Sequence, residues 1–220
     1  MDLIIYLGLL FIICIVAANA NVKQKSELHN KSLNTRTKTM EDHLSKINNF
    51  SATQKIIGFG STSMLAIDEH THKVCLVSCQ LNDASSNLIS YKDILTLEIF
   101  ENGVAVTKTV RSSQIASALI GGLALGGIGV IVGGLSGKKQ LSETVNKIDI
   151  RLIINNTNSP LFDLNFLAVE TNKNEALYKQ VMERTRHCYG LIKIIMHQAD
   201  IEENASRTES VNIIDSTIKS

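Results

Sequence analysis

The chain has 220 residues, 44% of them hydrophobic but only 5% aromatic, and 22 Lys and Arg stand against 21 Asp and Glu, a formal charge of +1. That length accommodates one globular domain with appendages, and the near-neutral charge balance argues against a nucleic-acid binder, which normally shows a strongly basic face or stripe. The apolar content is aliphatic and concentrated in two uncharged runs, which points to a membrane protein.

The first run, Leu3 to Val22, carries no charge and as a helix measures roughly 30 Å, the thickness of a bilayer core. A cleaved signal peptide is the competing reading, because Ala18, Asn19 and Ala20 fit the A-x-A cleavage rule. Asp2 precedes the run and no Lys or Arg does, whereas Lys23, Lys25, Lys31, Arg36 and Lys38 follow it. By the positive-inside rule the C-terminal side is cytoplasmic, so the expectation is a single-pass anchor over residues 1–22 with a cytoplasmic body. Cys14 follows Ile13, where a lipobox needs a small residue. Cys75, Cys79 and Cys188 form no disulfide framework, which suits a reducing compartment.

Residues 23–49 divide into a polar tether without apolar period, to Arg36, and a short amphipathic helix with Met40, Leu44 and Ile47 at i, i+4, i+7. Strand patterns follow. Ser63–Ile67 and Lys73–Cys79 flank the polar loop 68–72 as a hairpin, and a short strand covers Leu88–Tyr91. Ile94–Glu101 and Val104–Val110 flank Asn102-Gly103, the dipeptide that a type I′ turn demands. Asn146–Ile154 and Leu161–Val169 bracket NNTNSP, with Pro160 at a strand start because it cannot donate to a ladder. Ile148, Ile150, Leu152 and Ile154 share one face.

After Thr171 the period becomes helical. Asn172 with Glu175 is the expected cap, and Leu177, Val181, Thr185, Cys188, Ile192, Ile195 and Ala199 form the apolar stripe. Residues 202–220 read as a flexible tail.

About seven strands closed by one helix resemble a pleckstrin-homology-like (PH-like) domain. The stretches MLAIDEHTHKVCLV, ISYKDILTLEIFENG and VNKIDIRLIINNTNSPLFDLNFL, with the glycine-rich run between the last two, also resemble membrane-anchored bacterial and prophage proteins with such domains. The resemblance covers Phe50 to Asp200. It implies an α+β fold: an N-terminal transmembrane helix, then an antiparallel β-sandwich or barrel closed by a long C-terminal helix. The β-domain would be split into 50–111 and 138–201 by a glycine-rich helical hairpin at 112–137.

Ser112 to Gly137 is uncharged and holds 8 of the 13 glycines. In a soluble helix each would cost about 1 kcal/mol, about 8 in all. As a helix, however, Ala118, Gly122, Gly126, Gly129, Gly133 and Gly137 fall on one face, the small-xxx-small pattern of close helix packing in lipid. A single span would separate the strands on either side of it. Two arms of about 12 residues reach only about 18 Å, so a hairpin broken near Gly126-Gly127 enters one leaflet without crossing. A glycine-rich pair packed on the protein's own surface and a true second span are the alternatives.

His70, His72, Cys75 and Cys79 are zinc-competent types, but on a strand the two cysteines lie more than about 10 Å apart, and they read as loop histidines and half-buried thiols. Gly58 to Ser63 lacks the third Gly and the Lys of a phosphate loop and reads as a turn entering a strand. Cys188 beside His187 reads as a core thiol. No catalytic residue, cofactor site or metal site is expected. The expectation is a non-enzymatic, membrane-tethered interaction or scaffold module whose partners are the lipid bilayer and a protein or second copy, with no nucleic acid. The alternative is a membrane-active prophage exclusion or immunity factor acting through the glycine-rich segment.

Overall fold

The computed structural model describes residues 2–80, 83–112 and 143–218, with side chains between residues 20 and 210 of these stretches. Its elements are α1 (Asp2–Leu44), β1 (Gln54–Ile57), β2 (Ser63–Asp68), β3 (Lys73–Gln80), β4 (Asp83–Ser90), β5 (Ile94–Glu101), β6 (Val104–Val110), β7 (Thr144–Val145), β8 (Ile148–Ile154), β9 (Leu161–Leu167), β10 (Thr171–Asn172) and α2 (Ala176–Ile218). The fold is α+β. The strands form two four-stranded antiparallel sheets, ordered β1-β2-β3-β4 and β6-β5-β8-β9, and a β7-β10 ladder. This is the expected sandwich and not a closed barrel.

One core lies between the sheets and α2. Leu65, Ile67, Val74, Leu76 and Ile89 enter it from the first sheet, and Leu97, Ile99, Ile148, Ile150, Leu152 and Ile154 from the second. The four inward residues of β8 are at most 3% exposed, as their period of two requires. Asn102 and Gly103 have φ of 49° and 77° and join Glu101 to its partner Val104, the two positive φ values of a type I′ turn.

A second, smaller cluster covers the outer face of the first sheet. Met40 and Leu44 of α1 pack there on Met64, Ala66, Cys75, Val77 and Cys79, flanked by Ile47 and Phe50. The expected half-burial of the cysteines is therefore corrected: β3 is covered on both faces, and Cys75 and Cys79 are 0% and 3% exposed. Burial pushes the Cys75 thiol up to about 11, against a lowering bond with Ser86. Polar contacts fix the angle of α1. Arg36 Nη1 donates to Gly60 O at 3.2 Å, Thr37 bonds to Ser61, and His43 Nε2 lies 2.9 Å from Ser86 Oγ.

Both segments read as irregular are helical. The tether belongs to α1, because no Gly or Pro interrupts Leu9 to Ile57 and a helix nucleated on either side propagates through it. The tail after Glu202 likewise continues α2 to Ile218, with Glu203 and Arg207 paired one turn apart. Asn172 is not the helix cap. It lies in β10, and its side-chain oxygen accepts the N–H of Asn174 in an Asx turn before α2 begins. Leu177 is 45% exposed, while Met182 and Met196, outside the expected stripe, are buried.

The side chains of residues 1–19 lie outside the described residues, and so does the apolar character on which the anchor reading rests. Among the described residues no helix is long and apolar enough to cross a membrane.

Truncating Leu44 to Ala should cost about 3 kcal/mol of unfolding free energy and accelerate modification of Cys75 and Cys79 by a soluble disulfide reagent. Wild-type stability together with wild-type thiol reactivity would show that α1 does not cover this sheet.

Candidate functional site

The topology draws attention to the two roots of the glycine-rich segment. β5 pairs on one edge with β6, which precedes the segment, and on the other with β8, which follows it. The segment leaves β6 at Val110, opposite Thr96, and returns to β8 at Ile148, opposite Glu101. The roots are thus separated by five positions of β5, roughly 17 Å along the strand. A single membrane crossing between them would place β6 and β8, both bonded to β5, on opposite sides of the bilayer, so the second-span alternative is incompatible with this sheet. The stripe Ala118, Gly122, Gly126, Gly129, Gly133 and Gly137 lies outside the described residues.

The exit root is held by Arg111, 3% exposed. Its Nε donates to Asp200 Oδ1 at 2.8 Å and its Nη2 to Glu203 Oε2 at 2.6 Å. Nη1 bonds to Lys92 O and Nη2 also reaches Ala199 O. The next residue continues the clamp, with Ser112 N–H donating to Asp200 Oδ2 at 3.0 Å. Asp200 therefore grips the guanidinium and the backbone at the first residue of the run. Burial works to raise the Asp200 carboxyl, but the bonds from Ser112 and Arg111 outweigh it and the group is held below the ordinary range.

The return root is held by Asn102. Its side-chain Oδ1 accepts the N–H groups of Asn146 at 2.8 Å and Lys147 at 3.2 Å, and its own N–H donates to Lys147 O. Lys173 N–H donates to Glu143 O, and β7 pairs with β10. Glu101 joins this end to α2, accepting from Lys173 Nζ at 2.8 Å and from Tyr178 OH at 2.9 Å. Burial and then this carboxylate push the Tyr178 phenol up to about 12. Both roots are thus fastened to α2 or to its entry.

The other constellations resolve into structure. Cys75 and Cys79 face α1, whereas His72 stacks on Tyr91 at 5.3 Å on the core side and bonds Glu202 at 2.6 Å, so the four zinc-competent residues do not converge. Asp68 shapes that loop. It accepts from Ser51, His70 and Thr71, and although burial works to raise its carboxyl these bonds hold it at about 2. Phe59–Ser61 is a 3-10 turn. A Cβ on Gly58 would stand 2.9 Å from Asn165 O, so close approach of β9 explains the glycine without a phosphate. Cys188 is a fully buried core thiol whose pKa burial raises to about 12.

Arg111 and Asp200 are missing from the residues singled out by sequence. A signal was present: Arg111 is the last charge before the uncharged run, and Asp200 and Glu203 follow the helix stripe at i, i+3.

The family described as a glycine zipper containing PH domain matches residues 54–168, from the first residue of β1 to the residue after β9. Two relatives are similar over 121 residues. An immunity protein of Bacillus phage SPbeta is 22% identical, over 51% of this chain and 58% of its own length. The SPbeta prophage-derived uncharacterized membrane protein YomJ of Bacillus subtilis strain 168 is 22% identical, over 51% of this chain and 52% of its own length. The match therefore spans little more than half of each relative. No solved structure matches.

Replacing Arg111 by Ala leaves Asp200 buried without its cation and should cost about 3 kcal/mol in denaturant unfolding. Because the folded Asp200 is more acidic than its unfolded value of about 3.9, its contribution is present above that pH and lost as pH falls below it. The stability gap between wild type and Asp200→Asn should therefore close on acidification below about pH 4. A gap that is constant from pH 6 to pH 3 would show that the ionised clamp is not what stabilises this root.

Proposed function

The chain belongs to the family of glycine-zipper-containing PH domains, and from that premise we propose that it is a non-enzymatic, membrane-tethered interaction module whose β-domain presents the glycine-rich segment to the bilayer. The observation that carries this reading is the pair of pinned roots: both belong to one sheet, so the segment leaves and returns on the same side of any membrane. A leaflet-dipping or self-packing segment fits that geometry.

The run Leu3 to Val22 supplies the anchor in this reading, and the five basic residues after it put the body in the cytoplasm. α1 is continuous from Asp2 to Leu44. The helix that emerges from the bilayer near Val22 is then the same one that seats Met40 and Leu44 on the first sheet. From Val22 to Arg36 it rises about 21 Å, which makes it a semi-rigid stalk. The clamped residues act structurally: Arg111 has every donor nitrogen occupied by protein acceptors, and Cys188 and Cys75 are raised thiols, the reverse of an activated nucleophile.

A second reading, a prophage exclusion or immunity factor that acts on the membrane, is supported by the name of the SPbeta relative and by the small-residue stripe. It differs in one respect: the segment would perturb the bilayer and not merely rest against it.

Native cysteines are a poor sidedness probe here, because Cys75, Cys79 and Cys188 are buried. A cysteine introduced at exposed His70 should resist a membrane-impermeant maleimide in intact cells and react after lysis. Labelling in intact cells would end the cytoplasmic assignment. In vesicles, dye leakage induced by wild type and abolished by Gly126→Leu would select the membrane-active reading, and no leakage from either protein would select the tethered module.

A further inference from the structure

We propose that the cleft between β1 and α2 receives an extended acidic peptide of a partner protein, which adds to the free edge of β1 as a fifth strand of the first sheet. The inference rests on the interaction-module reading and names its docking site. Among the described residues the sheet order leaves β1 at an edge, with β2 as its one neighbour. Gly58 N–H donates to Ser63 O at 2.9 Å, which marks that pair as hydrogen-bonded. Inward and outward backbone groups alternate along an antiparallel strand. In the register of β1 with β2, Gln54 and Ile56 therefore bond to β2, and Lys55 and Ile57 turn their N–H and C=O groups outward, into the cleft.

α2 forms the opposite wall with Glu183, Arg184, His187 and Leu191, and Phe166 adds apolar surface. The cleft measures about 540 Å³, enough for a few residues in extended conformation. Its fixed charges are two cations, Lys55 and Arg184, against one lining carboxylate, Glu183. Lys55 is loosely shared with Glu41 at 3.5 Å, both side chains more than 40% exposed. Arg184 makes no ion pair among the described residues; it donates from Nη2 to Ile57 O at a long 3.4 Å. That carbonyl is the one an incoming strand would use. Once a peptide N–H bonds Ile57 O, the guanidinium is released and its fork is available to a carboxylate on the same peptide. Backbone pairing supplies the affinity and Arg184 the preference for acidic side chains.

The test uses the full chain in detergent micelles and a fluorescein-labelled peptide, Val-Asp-Val-Glu-Val-Asp, with Val-Lys-Val-Lys-Val-Lys as its charge-reversed control. Saturable anisotropy is expected for the acidic peptide alone, weakened about five-fold by Arg184→Gln. Lys55→Pro removes an outward N–H that no ladder bond uses, so it should bind at least about five-fold more weakly than Lys55→Gln. In the wild type, peptide should also slow hydrogen exchange at the Ile57 amide, a readout independent of how any variant folds. Absence of saturable binding, equal binding of the basic peptide, or an Ile57 amide that the peptide does not protect would each overturn the proposal. Micelle binding is indifferent to membrane sidedness, so failure here is distinct from failure of the tethered reading.

Discussion

The position of β5 constrains everything else in the molecule. One edge of this strand is hydrogen-bonded to the strand before the glycine-rich segment and the other edge to the strand after it, so the second sheet closes only if the segment departs and returns within the same compartment. The core follows from that closure. Leu97 and Ile99 of β5 meet Ile150 and Leu152 of β8 across the ladder, and α2 covers them with Cys188, Ile192 and Ile195. The 33 residues between β6 and β7 cost little more in closure entropy than half that number would, since the penalty grows only with the logarithm of length. The fold tolerates the insertion provided that its two ends are fixed.

Those ends are fixed by chemically different devices. At the exit a buried guanidinium meets two carboxylates and two carbonyls, an arrangement whose net stability is small because desolvation offsets attraction. What it supplies is a shared anchor point: Asp200 satisfies both Arg111 and the N–H of Ser112, which ties the end of β6 to α2. At the return a neutral amide does the work. Asn102 uses its positive φ to make the β5-β6 turn and its side chain to receive the chain coming back at Asn146 and Lys147. One residue therefore couples a local turn to a contact 44 positions away.

Where structure depends on local chemistry, it was legible in the sequence. Asn102-Gly103 dictates its turn, the alternation of β8 dictates its buried face, and Met40, Leu44 and Ile47 mark the docked end of α1. Residues that answer to distant partners were not legible. β4 carries Asp83, Ser85, Ser86 and Asn87, a polar run that is a strand only because β3 offers a ladder to it. Cys75 and Cys79 look half-buried until α1 is laid over them. The helix through residues 21–36 has no apolar face to betray it and is inherited from its neighbours by propagation. Arg111 shows the same limit at the site: a lone Arg at a strand end reads as solvated until the helix carrying Asp200 and Glu203, nearly ninety residues later, is in place.

For the glycine-rich run the cost of helix formation sets a condition. Eight of them in a helix would cost about 8 kcal/mol, and that deficit is offset only where small residues let another surface come close enough for dense van der Waals contact. Roots fixed on opposite edges of β5 and offset by roughly 17 Å along it remove some of the conformational freedom that such packing would otherwise have to restrain. Both roots also meet the same helix, the exit through Arg111 and Asp200 and the return through Glu101 and Tyr178, so α2 closes the core and holds the two ends of the connection together. α1 is fastened separately, through Met40 and Leu44 on the outer face of the other sheet.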